Sequence, residues 1–597
     1  MKINKKQALK DYLYPLILAL TIGALAGLGA VFFRKLIDLF EAFFWGASHK
    51  DLVEKVCAVN PFFRILIPFL VGLAIGPIVT FWAPEVRGPG VPEVMEALAL
   101  KGAKIRHRVT IIKSFVTAAL LAAGASVGRE GPIVQIGSSI GSSIAQFFKL
   151  DSESRRLAVA CGAAAGIAAT FQAPMAGTLF AVEILLFDLE VVFLSNIVVA
   201  AVIGTVISKQ FFGEGKLFDI PFFYLGSPAE LLLYFLLGIF AGLVAIVLMG
   251  AIFSLPRLWE KMKIPLWLTP AIGGIAIGIL GIILPHVMGV GYSSINLALT
   301  GNVTLEFALL LFVGKLLATG MCIGSGMSGG IFAPSLFLGA MLGAVVGLVA
   351  NMIWPEAGIT PAHFALVGMG AMVSGTTLAP VTAVLTIFEL TYTYQIILPL
   401  MVACIGSLLV VRLLHGYSAY ETKLLQKGVN IVRGREINVL RDMRIADYMD
   451  HDLQVLRADT KLPEIIDAME KSPFPHFVVL DEKNELVGVL TLRDIRKYLA
   501  HPDKFDPNLT AQDIMQHDVI TISLEDSMER AFSLFAKHQF SFLPVVEKKG
   551  SKKVVGHLKR STVLTAYEEE IMKGRMLPPL GWLCKLPRDD SRPTNSS

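Results

Sequence analysis

The sequence predicts an α-helical polytopic membrane protein made of two related halves, followed by a soluble α/β tail that is itself duplicated. Three observations carry this. The 597 residues are 54% hydrophobic and only 17% charged, against about 25% charged in ordinary soluble domains, and mean hydropathy is +0.64. Long runs lack Asp, Glu, Lys and Arg altogether. Two separate sets of residues then recur at fixed offsets, one before and one after the last apolar run.

The charge-free runs are residues 12–33, 65–84, 157–182, 231–256, 264–305, 316–355, 357–388 and 390–411. Several exceed the ~20 residues needed to span a bilayer. The longest must hold more than one helix, broken at Gly and Pro. The start, MKINKKQALK, has four lysines and no acid. Basic flanks stay on the cytoplasmic side, so the N-terminus is expected inside, and no cleavable leader is read there. After residue 411 charged residues recur every few positions, which marks a soluble C-terminal part, and the C-terminus is expected in the cytoplasm like the N-terminus. Net charge is a mild +5, which says little about partners; no nucleic-acid partner is expected. Five scattered cysteines, at 57, 161, 322, 404 and 584, suggest neither a metal site nor a disulfide framework.

Within the membrane part, Lys113, Gly124, Ser126, Gly128, Pro132, Gly137 and Gly141 match Lys315, Gly326, Ser328, Gly330, Pro334, Gly339 and Gly343 at an offset of 202. Ala173, Pro174 and Glu183 match Ala379, Pro380 and Glu389 at an offset of 206. Duplicated halves with Gly/Pro-interrupted helices at matching positions place a substrate site near the midplane. Proline suits the first turn of a helix, where its missing N–H costs nothing, so helices are expected to begin at Pro132, at Pro334 and at Pro92-Glu93. Each follows a glycine-rich stretch. Helix N-termini expose unpaired N–H groups, and glycine lets a ligand approach the backbone. Three such termini form an anion site without a full positive charge.

In the tail, "DYMDHDLQVL" (447–456) parallels "DIMQHDVITI" (513–522). Each unit reads as a short strand, an amphipathic helix (Leu462, Ile465, Ile466 and Met469 in the first), two apolar strands and a second helix. The pair is similar to tandem CBS domains at 441–500 and 508–568, with the membrane domain at 1–428 and a polar C-terminal stretch at 569–597.

"GPGVPE" (88–93), "GREGP" (128–132), "GGIFAP" (329–334) and the tyrosine of "GYSAY" (416–420) resemble, in order, the anion-pathway motifs of the CLC family of chloride channels and proton-coupled chloride antiporters. The resemblance implies inverted repeats of tilted, broken helices and a homodimer in membrane lipid, in the inner membrane of a bacterium, with one pathway per subunit. It implies that backbone N–H groups beside Gly330, of Ile331 and of Phe332, bind a central anion, that Tyr417 donates its hydroxyl from inside, and that the backbone around Gly128, Arg129 and Gly131 forms an outer site. Glu130 matches the gating glutamate: a tethered anion that competes for the site until protonated. A carboxylate within the membrane is costly and by default functional.

Two positions depart from the family pattern. Pro89 stands where a serine usually offers a hydroxyl to the anion, which in the family goes with better acceptance of nitrate relative to chloride. Glu183 matches the first of a glutamate pair, but Ile184 replaces the second, which passes protons from the cytoplasm. Antiport with protons is the leading expectation and a passive gated channel with the CBS pair as regulator the alternative. A cation channel is disfavoured, since residues 264–411 carry only Glu306, Lys315, Glu356 and Glu389 as charges and helix N-termini have the wrong polarity. No nucleophile–base set or phosphate-cradling motif suggests an enzyme. No cofactor is required. In the tail, Thr491 and Asp494 match a ribose-binding Thr-x-x-Asp, implying an adenine nucleotide. Thr562 stands where the second unit would need its carboxylate.

Overall fold

The computed structural model describes residues 5–566 apart from 47–50, 187–190, 215–217, 219–222, 224–226, 428–439, 441–442, 473, 475, 500–505 and 539. The expected polar stretch at 569–597 lies outside the described residues. The chain divides into two compact units, one built on residues 1–431 and one on 432–578.

The first unit is helical. Its leading half contains α1 (Lys5–Trp45), α2 (Leu52–Ala58), α3 (Pro61–Pro77), α4 (Val91–Leu100), α5 (Arg108–Ala122), α6 (Glu130–Phe147), α7 (Ser152–Phe171), α8 (Pro174–Phe180) and α9 (Val191–Phe212). The other half contains α10 (Glu230–Lys261), α11 (Thr269–Ile283), α12 (Tyr292–Leu299), α13 (Leu305–Gly324), α14 (Phe332–Ile353), α15 (Pro361–Thr377), α16 (Pro380–Thr391) and α17 (Ile397–Leu414), and α18 (Ala419–Gln426) follows. Among the described residues, seven helices are long and apolar enough to cross a membrane. Many of their large apolar side chains face outward, including Leu13, Leu232, Leu310 and Leu413, as a lipid-facing surface requires.

Small residues set how closely the helices pack. A Cβ on Gly137 would run into the Gly162 carbonyl and one on Gly162 into that of Gly137, while Gly339 and Gly368 block each other in the same way. Thus α6 packs on α7 in one half as α14 packs on α15 in the other. The short helices that begin with Ala-Pro are tied across the halves. Glu389 accepts hydrogen bonds from Met175 N (2.9 Å) and Ala176 N (2.7 Å) in the first turn of α8. Glu183 accepts from Val381 N (3.3 Å), Thr382 N (2.7 Å) and Thr382 Oγ1 (2.6 Å) in the first turn of α16. Each half therefore supplies the carboxylate that satisfies the orphan N–H groups of the other.

The second unit contains two three-stranded sheets of identical topology. β1 (Val455–Arg457) runs parallel to β2 (His476–Leu480), which is antiparallel to β3 (Leu486–Thr491). β4 (Ile522–Ser523), β5 (Phe542–Val546) and β6 (Val554–Lys559) repeat this order. The helix Leu462–Lys471 buries Leu462 and Ile465 and packs Ile466 and Met469 beside them, on the stripe that the sequence spacing required.

Candidate anion pathway

The three glycine-rich stretches meet. Gly128 and Gly330, repeat mates, exchange both backbone hydrogen bonds at 2.7 Å. Gly329 N donates to Gly88 O at 3.2 Å. A Cβ on Gly131 would strike Pro89 O, and one on Gly90 would lie 2.8 Å from Gly131 O. Gly88 and Gly90 also adopt φ of 83° and 93°, a region that favours glycine. Pro89, Gly128, Gly131, Gly330, Ile331 and Phe332 are all buried, so the sequence-predicted backbone groups converge.

The helices begin two residues earlier than the prolines suggested, at Glu130 and Phe332. Proline needs only a position whose N–H has no intrahelical partner, and the third residue of a helix is one. Glu130 is therefore the first helical residue of α6. Its side chain is 1% exposed. Its Oε2 and the Ala333 N–H both crowd the point where a Cβ on Gly128 would sit. The carboxylate thus lies against the N-terminus of α14, where a free anion would be favoured.

One expected residue is displaced. Tyr417 is 40% exposed, whereas Tyr420, three residues on, is 2% exposed and within electrostatic reach of Glu130. "GYSAY" contains two tyrosines, and the helix start decides between them. Ser418 caps α18 together with Glu421 (Glu421 N to Ser418 Oγ, 3.2 Å; Ser418 N to Glu421 Oε2, 2.7 Å), which puts Tyr420 in the first turn. Lys423 then fixes this helix to α4 through Glu93 Oε1 (2.6 Å) and Arg87 O (3.0 Å). Of the two tyrosines, the buried one on the side of Glu130 is Tyr420, and Tyr417 is exposed.

Ile184 is 2% exposed, in a wide helical turn that continues α8, and offers no proton acceptor. Its neighbour Glu183 is the cap of α16 described above, so its carboxylate is committed to three donors.

Two features escaped sequence reasoning. The matched lysines are braces: Lys113 Nζ donates to Val86 O (2.8 Å) and Gly88 O (2.9 Å), and Lys315 Nζ to Val287 O (3.1 Å) and Gly289 O (2.8 Å). Both lysines are fully buried. The loop that Lys315 holds is the repeat mate of the Pro89 loop, since Pro84, Val86, Gly88 and Gly90 match Pro285, Val287, Gly289 and Gly291 at an offset of 201. That offset was the available clue. Tyr292, just beyond it, donates its hydroxyl to Glu130 Oε1 at 3.1 Å.

In the tail, Asp494 Oδ2 accepts from Thr491 N (2.9 Å) and Thr491 Oγ1 (2.6 Å), and its Oδ1 accepts from Gln516 Nε2 (2.9 Å). The same local pattern closes Thr510 on Asp513 and Ser523 on Asp526. Capping alone thus accounts for the Thr-x-x-Asp spacing. The matching place in the second unit is filled by side chains. Lys559 Nζ pairs with Asp450 (3.0 Å) and lies over Phe474 (4.0 Å), and His476 stacks on Phe542 with ring centroids 3.8 Å apart.

The family described as "Voltage gated chloride channel" matches residues 71–412, and CBS domains match 445–501 and 511–569. The chain belongs to the CLC family. Among similar sequences, a ClcB-like chloride channel protein of Ralstonia nicotianae is 35% identical over 416 residues, 69% of this chain and 97% of that protein. The H(+)/Cl(-) exchange transporter ClcA of Cronobacter sakazakii is 34% identical over 68% of this chain and 89% of that protein. Among solved structures, a slow cyanobacterial Cl-/H+ antiporter superposes with a TM-score of 0.63 at 27% identity, covering 69% of this chain and 97% of that one. A eukaryotic CLC transporter covers 93% of this chain and 98% of its own at a TM-score of 0.62 and 20% identity, a likeness of fold. This CLC protein is accordingly an integral membrane protein that carries a CBS pair.

Proposed function

We propose that this CLC protein is an antiporter exchanging protons for chloride or a similar monovalent anion, with Glu130 as its gate. The observation that supports this most is the buried Glu130 carboxylate at the N-terminus of α14, in the place of a bound anion. As a carboxylate it competes with the permeant ion; once protonated it loses the charge that α14 attracts and leaves. Central coordination falls to the N–H groups of Ile331 and Phe332, the outer site to the backbone around Arg129, and the inner hydroxyl to Tyr420. The exchange activities of the Cronobacter and cyanobacterial relatives favour antiport. With Ile184 in place of an inner glutamate, protons reach Glu130 from the cytoplasm along water. Pro89 offers no donor, so nitrate is accepted beside chloride. The working form is a homodimer in the inner membrane of a bacterium, with both termini in the cytoplasm.

The test is the reversal potential in proteoliposomes under a pH gradient at fixed anion gradient. A coupled exchanger shifts with ΔpH, and a potential fixed at the anion equilibrium value would return the protein to the channel reading, which Ile184 alone favours. The tail binds one adenine nucleotide per chain in this reading, with Gln516 yielding Asp494 to the ribose. Calorimetry with ATP and AMP should give at most one site, abolished in Asp494→Ala.

A further inference from the structure

Glu130 takes one side-chain hydrogen bond from the opposite half, and it comes from a residue outside the anion-pathway motifs. The Tyr292 hydroxyl donates to Glu130 Oε1 at 3.1 Å, while the backbone N–H groups of Ala333 and of Glu130 itself also face the carboxylate. Tyr292 opens α12 directly after Gly291, whose φ is 88°. Its ring packs edge-on against Phe218 (5.6 Å between centroids), and the Arg129 guanidinium lies 5.2 Å from its centre. The loop behind it is held by Lys315, which also donates to Val290 O at 3.4 Å. Backbone, ring and loop are each fixed, so the hydroxyl has one place to be.

We propose that Tyr292 is a positioning residue for the gate: its hydroxyl holds the Glu130 carboxylate in the pathway and so sets the pH at which the gate releases. The proposal rests on Glu130 being that gate. A donor aimed at a carboxylate favours the charged form. Take the donor away and Glu130 protonates more readily. The other groups facing the carboxylate are Arg129 on its own helix, Lys315 from α13 and Tyr420 from α18. Arg34 of α1 faces Arg129 and Tyr292. Removal of one hydroxyl alters none of these charges. The second half thereby acquires a role beyond symmetry: the mate of the loop that presents Pro89 to the anion presents a donor to the gate.

The experiment uses full-length protein in chloride-loaded proteoliposomes, with chloride and proton fluxes recorded from pH 4 to 8 (about the range over which a carboxylate with shifted affinity titrates). Tyr292→Phe keeps the ring, so the variant should fold, with only the small drop in melting temperature that loss of one hydrogen bond brings. Its turnover should reach half-maximum about one pH unit higher, the size expected for loss of a single donor. In a Glu130→Gln background, the Tyr292→Phe change should leave the pH profile where it was. An unmoved profile in Tyr292→Phe, with coupling intact in wild type and lost in Glu130→Ala, would overturn the positioning role and leave Glu130 as gate. A shift that survives in Glu130→Gln would also overturn it, by showing that another group titrates. Proton transport persisting in Glu130→Ala would overturn both readings.

Discussion

The two halves of the membrane unit brace a glycine loop in the same way and put different chemistry at its tip. Lys113 holds the carbonyls of Val86 and Gly88, and the loop, which carries Pro89, leads into Val91, the mate of Tyr292, which has no side-chain donor. Lys315 holds those of Val287 and Gly289, and the loop ends in Tyr292, which donates to Glu130. The tail repeats this lesson on a smaller scale. The place at Thr491 keeps its Asp494 carboxylate, which Gln516 of the second unit holds, while the matching place at Lys559 is filled by Asp450, Phe474 and His476 of the first unit. Duplication preserved the backbone support and let the functional side chain diverge.

The comparison breaks most completely at Glu130, which has no acidic mate: position 332, at the offset of 202, is Phe. Glu130→Ala should abolish proton transport and leave anions moving down their gradient, as read by simultaneous chloride and pH electrodes. Next in size are the braces. Lys113→Met leaves the Val86 carbonyl without a donor, since Gly88 O keeps Gly329 N, and Lys315→Met leaves those of Val287 and Gly289, about 1–3 kcal/mol for each, so both variants should melt earlier in detergent and Lys315→Met the earlier of the two. They should differ in transport. Lys315→Met loosens the Tyr292 loop and should move the pH profile, whereas Lys113→Met loosens the Pro89 loop and should change anion preference. Identical effects from both would show that the loops share one role.

Pro89→Ser should raise chloride relative to nitrate in bi-ionic potentials. A hydroxyl on a charged partner contributes about 1.5–3 kcal/mol before desolvation, so a several-fold change is expected, and an unchanged ratio would remove Pro89 from the central site. The smallest effect concerns the tail. Burial, with His557 and Lys559 nearby, pushes the His476 imidazole down to about 4. The unfolded chain binds that proton near pH 6.5 while the folded tail does not. The tail therefore keeps this stability above pH 6.5 and loses it as pH falls toward 4. Thermal melts of the isolated tail at pH 7 and pH 5 should show the drop, and His476→Phe should flatten it.

Much of this was legible in the sequence because the features depend on local chemistry. Charge-free runs set the membrane unit, the glycine–proline stretches located the three helix starts to within two residues, and the stripe at 462, 465, 466 and 469 located a tail helix. What could not be read depended on contacts between distant segments. The choice between Tyr417 and Tyr420 turned on a cap at Ser418. The pairing of Lys113 with Lys315 was visible, but its purpose needed the carbonyls 25–28 residues away in sequence. Tyr292 sits in a charge-free run, and only the fold brings it 162 positions back to Glu130.

The exchanged caps of Glu183 and Glu389 bear on ancestry. A single half inserted alone would leave the first turn of its Ala-Pro helix bare of its acid, at a cost of several kcal/mol if the bare N–H groups face hydrocarbon. Two separate copies of an unfused half carrying the same proline and glutamate would cap one another with no change of sequence. Those two caps would thus hold two unfused halves together as partners, an association that the carboxylates specify with or without a shared chain.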